Sequence, residues 1–304
     1  MRRIAIVFGV VILTACADTT APSHTLVWTS VPSPTTNRLL SIWGSSPTDI
    51  WAVGDVSVQG GDIIHYNGTS WSTVMSGTVL NIVWGTSASD VWTVGTEIMH
   101  FNGTAWSNST SLQGVLFLGV WGASPSNVWA VGTGGTILHY DGTTWSGVPS
   151  GTTEDLYSVW GSSSSNVWAV ANNTILHYDG SSWSVQYTPF NALLQGVWGS
   201  SATDVWALGS AGIRLQAFHY DGSVWTAAST PPSKSLTMWG TGPTDLWAVG
   251  SVEIATGVSR WDGNSWTSID VGSLQTRYGI WGSSASDIWI VGSQGSILHG
   301  TAAN

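Results

Sequence analysis

Arg38, Lys234 and Arg277 are three of only seven Lys and Arg residues in a chain of 304 residues that carries 17 Asp and Glu. Each stands four or five residues before a tryptophan that opens a Trp-Gly pair (Trp43, Trp239, Trp281). Cations gathered in this way hold a carboxylate or phosphate through charge-assisted hydrogen bonds. Glu154 and Asp155 fill the corresponding stretch before Trp160. Tyr157 and Tyr278 stand three residues before Trp160 and Trp281 and would add aromatic surface. The set predicts a polarised mouth, a basic arc facing an acidic patch. Scattered solubilising charge is the plainer reading of the same residues.

Other chemistry finds less support. Six histidines (His65, His100, His139, His177, His219, His299) recur at one position of a repeat, so each belongs to a separate unit and they do not cluster as metal ligands do. No metal or other cofactor is expected. The sequence lacks a G-x-S-x-G elbow, an H-E-x-x-H helix and a phosphate-binding loop. No catalytic residue is assigned.

The elements that must position these residues follow from the tryptophans. The unit reads roughly W-G-S-S-x-S-D-V-W-A-V-G, a short gap, then I-L-H-Y-D-G-T-T-W. Its first Trp recurs seven times from Trp43 to Trp281, and its second, always eight residues later, from Trp51 to Trp289. The third recurs six times from Trp71 to Trp266; the seventh is missing at the C-terminus and stands at the N-terminus as Trp28. Trp261 replaces a repeat tyrosine. A period near 40 residues with several short alternating strands predicts an all-β propeller. The expected fold is seven four-stranded antiparallel blades, the N-terminal strand completing the last blade, over residues 25–304. Burying the tryptophans makes them its main packing device.

In such a blade the strands run from the channel outward. Loops joining first to second and third to fourth strands share one face. Here they are constant in length, with turns such as Tyr140-Asp141-Gly142 suited to tight hairpins. An Asp or Asn two residues before each second Trp (Asp49, Asp90, Asn127 and their repeats) reads as a turn residue accepting backbone N–H bonds. The other loops vary, and the second-to-third connections are longest in blades one, five and six. Variation confined to one face marks a binding face, although unconstrained loops also drift.

Residues 1–15 read as a leader: Met1-Arg2-Arg3, an apolar run from Ile4, then Leu13-Thr14-Ala15 before the sole cysteine, Cys16. Leu13-Thr14-Ala15-Cys16 resembles the bacterial lipoprotein signal. The resemblance implies cleavage before Cys16, a lipid on Cys16, a polar tether over 16–24 and an extracytoplasmic, membrane-anchored protein. An ordinary signal peptide is the alternative. Trp28 opens an outermost strand on the constant face, so the short tether turns that face toward the membrane. Loss of Arg2 and Arg3 leaves a net charge of about −12. Nucleic-acid binders carry a basic stripe, and none is present.

From about residue 25 onward the pattern resembles Asp-box and photosystem II stability/assembly factor-like propellers. Val131-Gly132, Gly135-Thr136-Ile137, Asp141-Gly142 and Trp145 match their motifs in order, with a turn one residue shorter than the usual Asp box. The Trp-Gly repeats are also somewhat similar to tectonin-type lectin propellers. These likenesses imply the architecture rather than an activity; the expected function is a surface-anchored, non-catalytic recognition or assembly module that binds a protein or glycan partner through the variable face. Carbohydrate binding is the first alternative, and a glycoside hydrolase or lyase at the channel mouth the second. Sialidases share the Asp box but use an arginine triad, an acid and a Tyr/Glu pair; this chain has few candidate arginines and no identifiable Tyr/Glu partner.

Overall fold

A computed structural model describes residues 26–55, 60–188, 191–211, 214–232, 234–251, 257–273 and 275–303, with side chains left out at 55, 214 and 234–236. The leader, Cys16 and the tether lie outside the described residues. So do parts of the long loops of blades one, five and six. The blade-five connection is largely extended ladder, paired out to Ala211 opposite Arg214.

Seven four-stranded antiparallel sheets follow one another, as the repeat predicts. The seventh is completed by Leu26–Val31, which pairs with Ile297–Ala302 and sets Trp28 opposite Gly300. Trp28 thus shares a sheet with Trp281 and Trp289. Burial follows position. A second strand such as Asn127–Gly132 is covered on both faces, whereas the outermost Trp183–Tyr187 buries its tryptophan and exposes the next three residues.

The tryptophans join one blade to the next. Each second Trp is almost fully buried and meets the third Trp of the following blade near edge-on: Trp92 with Trp145 at 5.4 Å and 85°, Trp168 with Trp225 at 5.2 Å and 79°. Trp289 with Trp71 and Trp247 with Trp28 carry the same contact across the closure. Such pairs contribute about 0.5–1.5 kcal/mol beyond their buried area. Each first Trp lies over the glycine of the next Trp-Gly pair, which explains the dipeptide. A Cβ on Gly161 would stand 2.5 Å from the Trp121 ring, and Trp281 covers Gly44 to complete the circle.

Polar residues of the first strands tie neighbouring blades around the channel. Val83 N–H donates to Ser41 Oγ at 3.1 Å, Asn81 Nδ2 donates to the Phe117 carbonyl at 2.8 Å, and Thr237 Oγ1 donates to the Tyr278 carbonyl at 2.8 Å. Ladder irregularities beside these positions, as between Leu39 and Ser41, leave backbone groups free for such bonds.

Candidate functional site

The constant face is organised by a side-chain network. The Asp before the second Trp does not cap its turn, because a serine does so: the Thr48 N–H donates to Ser46 Oγ, and the Ser89 N–H to Ser87 Oγ. The Asp instead bridges strands. Asp90 Oδ1 accepts from His100 Nε2 at 2.7 Å and from the Trp92 indole N–H at 3.1 Å, while Thr86 donates to Oδ2. His100 stacks on Trp92 at 4.0 Å. Asp49–His65, Asp204–His219 and Asp287–His299 repeat the pair at 2.6–2.7 Å. Blade six substitutes Arg260, whose Nε lies 2.8 Å from Asp245 and whose guanidinium lies 5.3 Å from the Trp247 ring centre. Blades three and four place Asn127 and Asn166 against His139 and His177.

Titration follows these partners. Burial is the largest influence on Asp90 and raises its pKa, yet bonds from His100, Thr86 and Trp92 and the His100 charge outweigh it, and the result lies below the ordinary value. Asp204 behaves alike. His139 and His177 face neutral amides, and burial lowers both. Each histidine is thus committed to its own blade. Among the described residues, no three His, Cys, Asp or Glu side chains gather to hold a metal. In the outer turns Asp141 fulfils the expectation, accepting from the Thr143 and Thr144 N–H groups at 2.8 Å, bonds that hold its pKa at about 2.

On the variable face the predicted mouth residues separate. Arg38 is exposed, and its guanidinium lies 5.5 Å from the centre of the Tyr278 ring in blade seven. Lys234 takes the same register position, opposite Ser251 as Arg38 is opposite Asp55; its side chain lies outside the described residues. Arg277 requires a correction. It stands opposite Gly292, one row further in, where blades one to five carry Leu39, Leu80, Phe117, Leu156 and Leu194. A one-residue offset along a strand turns the side chain to the other face. Arg277 is accordingly wholly buried, and burial lowers its pKa to about 10. Its guanidinium donates to Ser273 O at 3.2 Å and Ser296 Oγ at 3.4 Å, and its Nε has no partner among the described residues.

The acids are also engaged. Asp155 accepts from the Gly134 N–H of blade three at 2.8 Å. Glu154 accepts from the Asn173 N–H at 3.4 Å and Thr174 Oγ1 at 3.3 Å. Tyr157 remains at the axis, where burial, aided by Asp155 and Glu154, raises its hydroxyl pKa. With Leu118, Gln195 and Ser158 it lines an axial cavity of about 150 Å³. That volume takes a side chain or a chain end; pockets for larger ligands run from about 300 Å³ upward. A wider open hollow, about 870 Å³, lies over blade three, lined by Leu112, Gly135 to Leu138 and Gly147 to Glu154. Sequence reading missed it. Its only sequence signal is the glycine content of that loop pair.

No family model matches this sequence, and no curated protein matches it either. Among solved structures it is similar to YCF48 bound to D1 peptide, at 16% identity and a TM-score of 0.72, over 91% of this chain and 97% of that one. A catalytically inactive virginiamycin B lyase from Staphylococcus aureus, solved with quinupristin, is 14% identical with a TM-score of 0.76, over 92% and 100%. The extracellular domain of the hybrid two-component system BT3049 from B. thetaiotaomicron is 14% identical with a TM-score of 0.72, over 92% of this chain and 42% of that one. At these identities the likeness establishes the propeller fold.

Proposed function

We propose that this chain is a non-catalytic recognition or assembly module that holds a segment of a partner protein on its variable face. Lipidated Cys16 would tether it outside the cytoplasm with the constant face toward the membrane. The observation that carries the reading is the exposed Arg38 guanidinium over Tyr278, beside an axial cavity sized for a single side chain or chain end. A segment bearing an anionic group, as a side-chain or terminal carboxylate, fits that chemistry. YCF48, of similar fold, binds a peptide, which supports the same use of the ring here. The engagement of Glu154 and Asp155 by neighbouring loops favours binding over acid–base catalysis. All 22 tryptophans are buried or half-buried, which weighs against a sugar-stacking platform.

The test is a peptide array and a glycan array probed with the full-length chain. Peptides bearing a free side-chain or terminal carboxylate should bind and the corresponding amides should not. Binding should weaken with salt, because exposed charges are screened. Arg38→Ala should cost about 1.5–3 kcal/mol, the worth of a charge-assisted contact. Glycan binding alone, or peptide affinity indifferent to Arg38, would sink the reading. For the anchor, Cys16→Ser should leave unlipidated, uncleaved precursor; acyl label on that variant would reject it.

A further inference from the structure

The hollow over blade three has features that point to a ligand of a different kind. It meets a second hollow over blade two, about 490 Å³, at Leu112, which lines both. Leu112 is 39% exposed, an apolar side chain presented between the two. The charged residues lining the pair are Glu97 and Glu154, one in each hollow, with no Lys or Arg beside them. Among the described residues the Glu154 carboxylate accepts only the two long bonds described above, and the Glu97 carboxylate makes no hydrogen bond. The whole chain is acidic, so the local negative potential is reinforced.

Three glycines leave the walls open. A Cβ built on Gly114, Gly147 or Gly151 would meet nothing within 4 Å. Gly147 ends the outermost strand Trp145–Gly147, three residues long against eight in Trp71–Thr78 of blade one. That strand is a free sheet edge, and with glycine there another backbone can approach closely.

We propose that this groove is a second docking site, taking an extended segment of a partner protein in which basic residues flank an apolar one. The segment adds as a strand beside Gly147, seats its apolar side chain against Leu112 and pairs its cations with Glu97 and Glu154. Main-chain pairing supplies affinity and the alternate side chains supply selectivity. The inference rests on the variable face being the binding face, but its ligand is opposite in charge to that of the Arg38 mouth, so one site can fail without the other.

The experiment titrates the full-length chain in detergent with acetyl-Lys-Thr-Val-Thr-Lys-amide, its Glu-Thr-Val-Thr-Glu counterpart, and the lysine peptide N-methylated at valine. The lysine peptide should bind, and the other two should bind at least tenfold more weakly. Glu97→Gln with Glu154→Gln should weaken the lysine peptide about tenfold, and Leu112→Asp should also weaken it. All variants should melt as the native chain does. Arg38→Ala and the remote Asp270→Asn should leave the affinity unchanged. No binding at millimolar peptide, equal binding to the Gln pair, or an equal loss with Asp270→Asn would overturn the site; the last would mean unspecific attraction to an acidic surface. Undiminished binding of the N-methylated peptide would overturn the strand addition. A carboxylate peptide still lost on Arg38→Ala would then leave the mouth standing alone.

Discussion

On the constant face, an Asp or Asn meets a cross-strand His, or Arg260, in every blade, and a serine or threonine four residues earlier bonds the carboxylate wherever it is Asp. On the variable face one loop design occurs twice among the described residues. Val31-Pro32-Ser33-Pro34-Thr35 and Val148-Pro149-Ser150-Gly151-Thr152 each fold a serine hydroxyl onto the threonine two residues on. The two copies end differently. After Thr35 the loop is tied by buried Asp62, which accepts from Thr35, Asn37 and Ser76 at 2.5–2.7 Å and floors an open hollow of about 420 Å³. After Thr152 the carboxylate is the half-buried Glu154, held only by the longer bonds from Asn173 and Thr174 at 3.3–3.4 Å, and the hollow there is the wider one, about 870 Å³. Repetition marks what the ring needs to close, and departure from it changes how much surface the loops leave uncovered.

That contrast can be broken by mutation. Trp183, 7% exposed and edge-on to Trp129, joins blade three to blade four. Trp183→Ala should destabilise the chain by about 3–5 kcal/mol in urea denaturation. Leu112→Ala on the variable face should stay within about 0.5 kcal/mol. Similar losses at both would erase the distinction.

His100→Ala should cost about 1.5–3 kcal/mol, the range for a hydrogen bond to a charged group, since it leaves Asp90 without its strongest donor. Acid should act through the same groups. Asp90 and Asp204 are depressed in the folded state, so their contribution is present above the unfolded carboxylate pKa and is lost as pH falls through their folded values. Denaturation midpoints at pH 7 and pH 3 would show the loss, and it should be smaller in the His100→Ala variant.

Arg277 sharpens the comparison from the other side. It is a charge without a carboxylate partner among the described residues, at a position that is Leu or Phe in five other blades. Replacing a buried charge by a fitting apolar residue is often stabilising. Arg277→Leu should therefore raise stability, by about 1–2 kcal/mol, and leave binding of carboxylate peptides unchanged. A loss of binding would return Arg277 to the functional mouth, and a loss of stability would mean that the site is packed for the guanidinium.

The seven blades and their closure were legible because tryptophan spacing is fixed by packing, and Trp28 could only belong where a seventh outer tryptophan was missing. Asp141 was legible because a turn is local. Arg277 was misplaced because the four- and five-residue spacings before the first Trp looked equivalent, whereas strand alternation makes them opposite. The Asp–His bridges were missed because their partners are 10–16 residues apart and meet only through strand register. The hollow over blade three was not legible, since it depends on what neighbouring loops leave uncovered.

The smallest expected effect concerns the blade where the constant-face network is least complete. Blade three has Ala123 where the others have Ser or Thr, and Asn127 in place of Asp. Its Asn127 Nδ2 lies 3.0 Å from His139 Nε2, its Oδ1 has no partner among the described residues, and burial lowers the His139 pKa. The folded chain therefore takes up fewer protons than the unfolded chain below the unfolded histidine pKa, and acid works against this blade. Ala123→Ser with Asn127→Asp would supply both the hydroxyl and the carboxylate. A His139 pKa raised in this way contributes stability that is fully present below the unfolded value and is lost as pH rises through the folded one. The double variant should thus gain about 1 kcal/mol at pH 5.5 and less at pH 8, read as the shift in urea midpoint at each pH. An equal gain at both would mean that the new bonds act without the histidine charge. A loss at both would mean that blade three is packed for the amide it has.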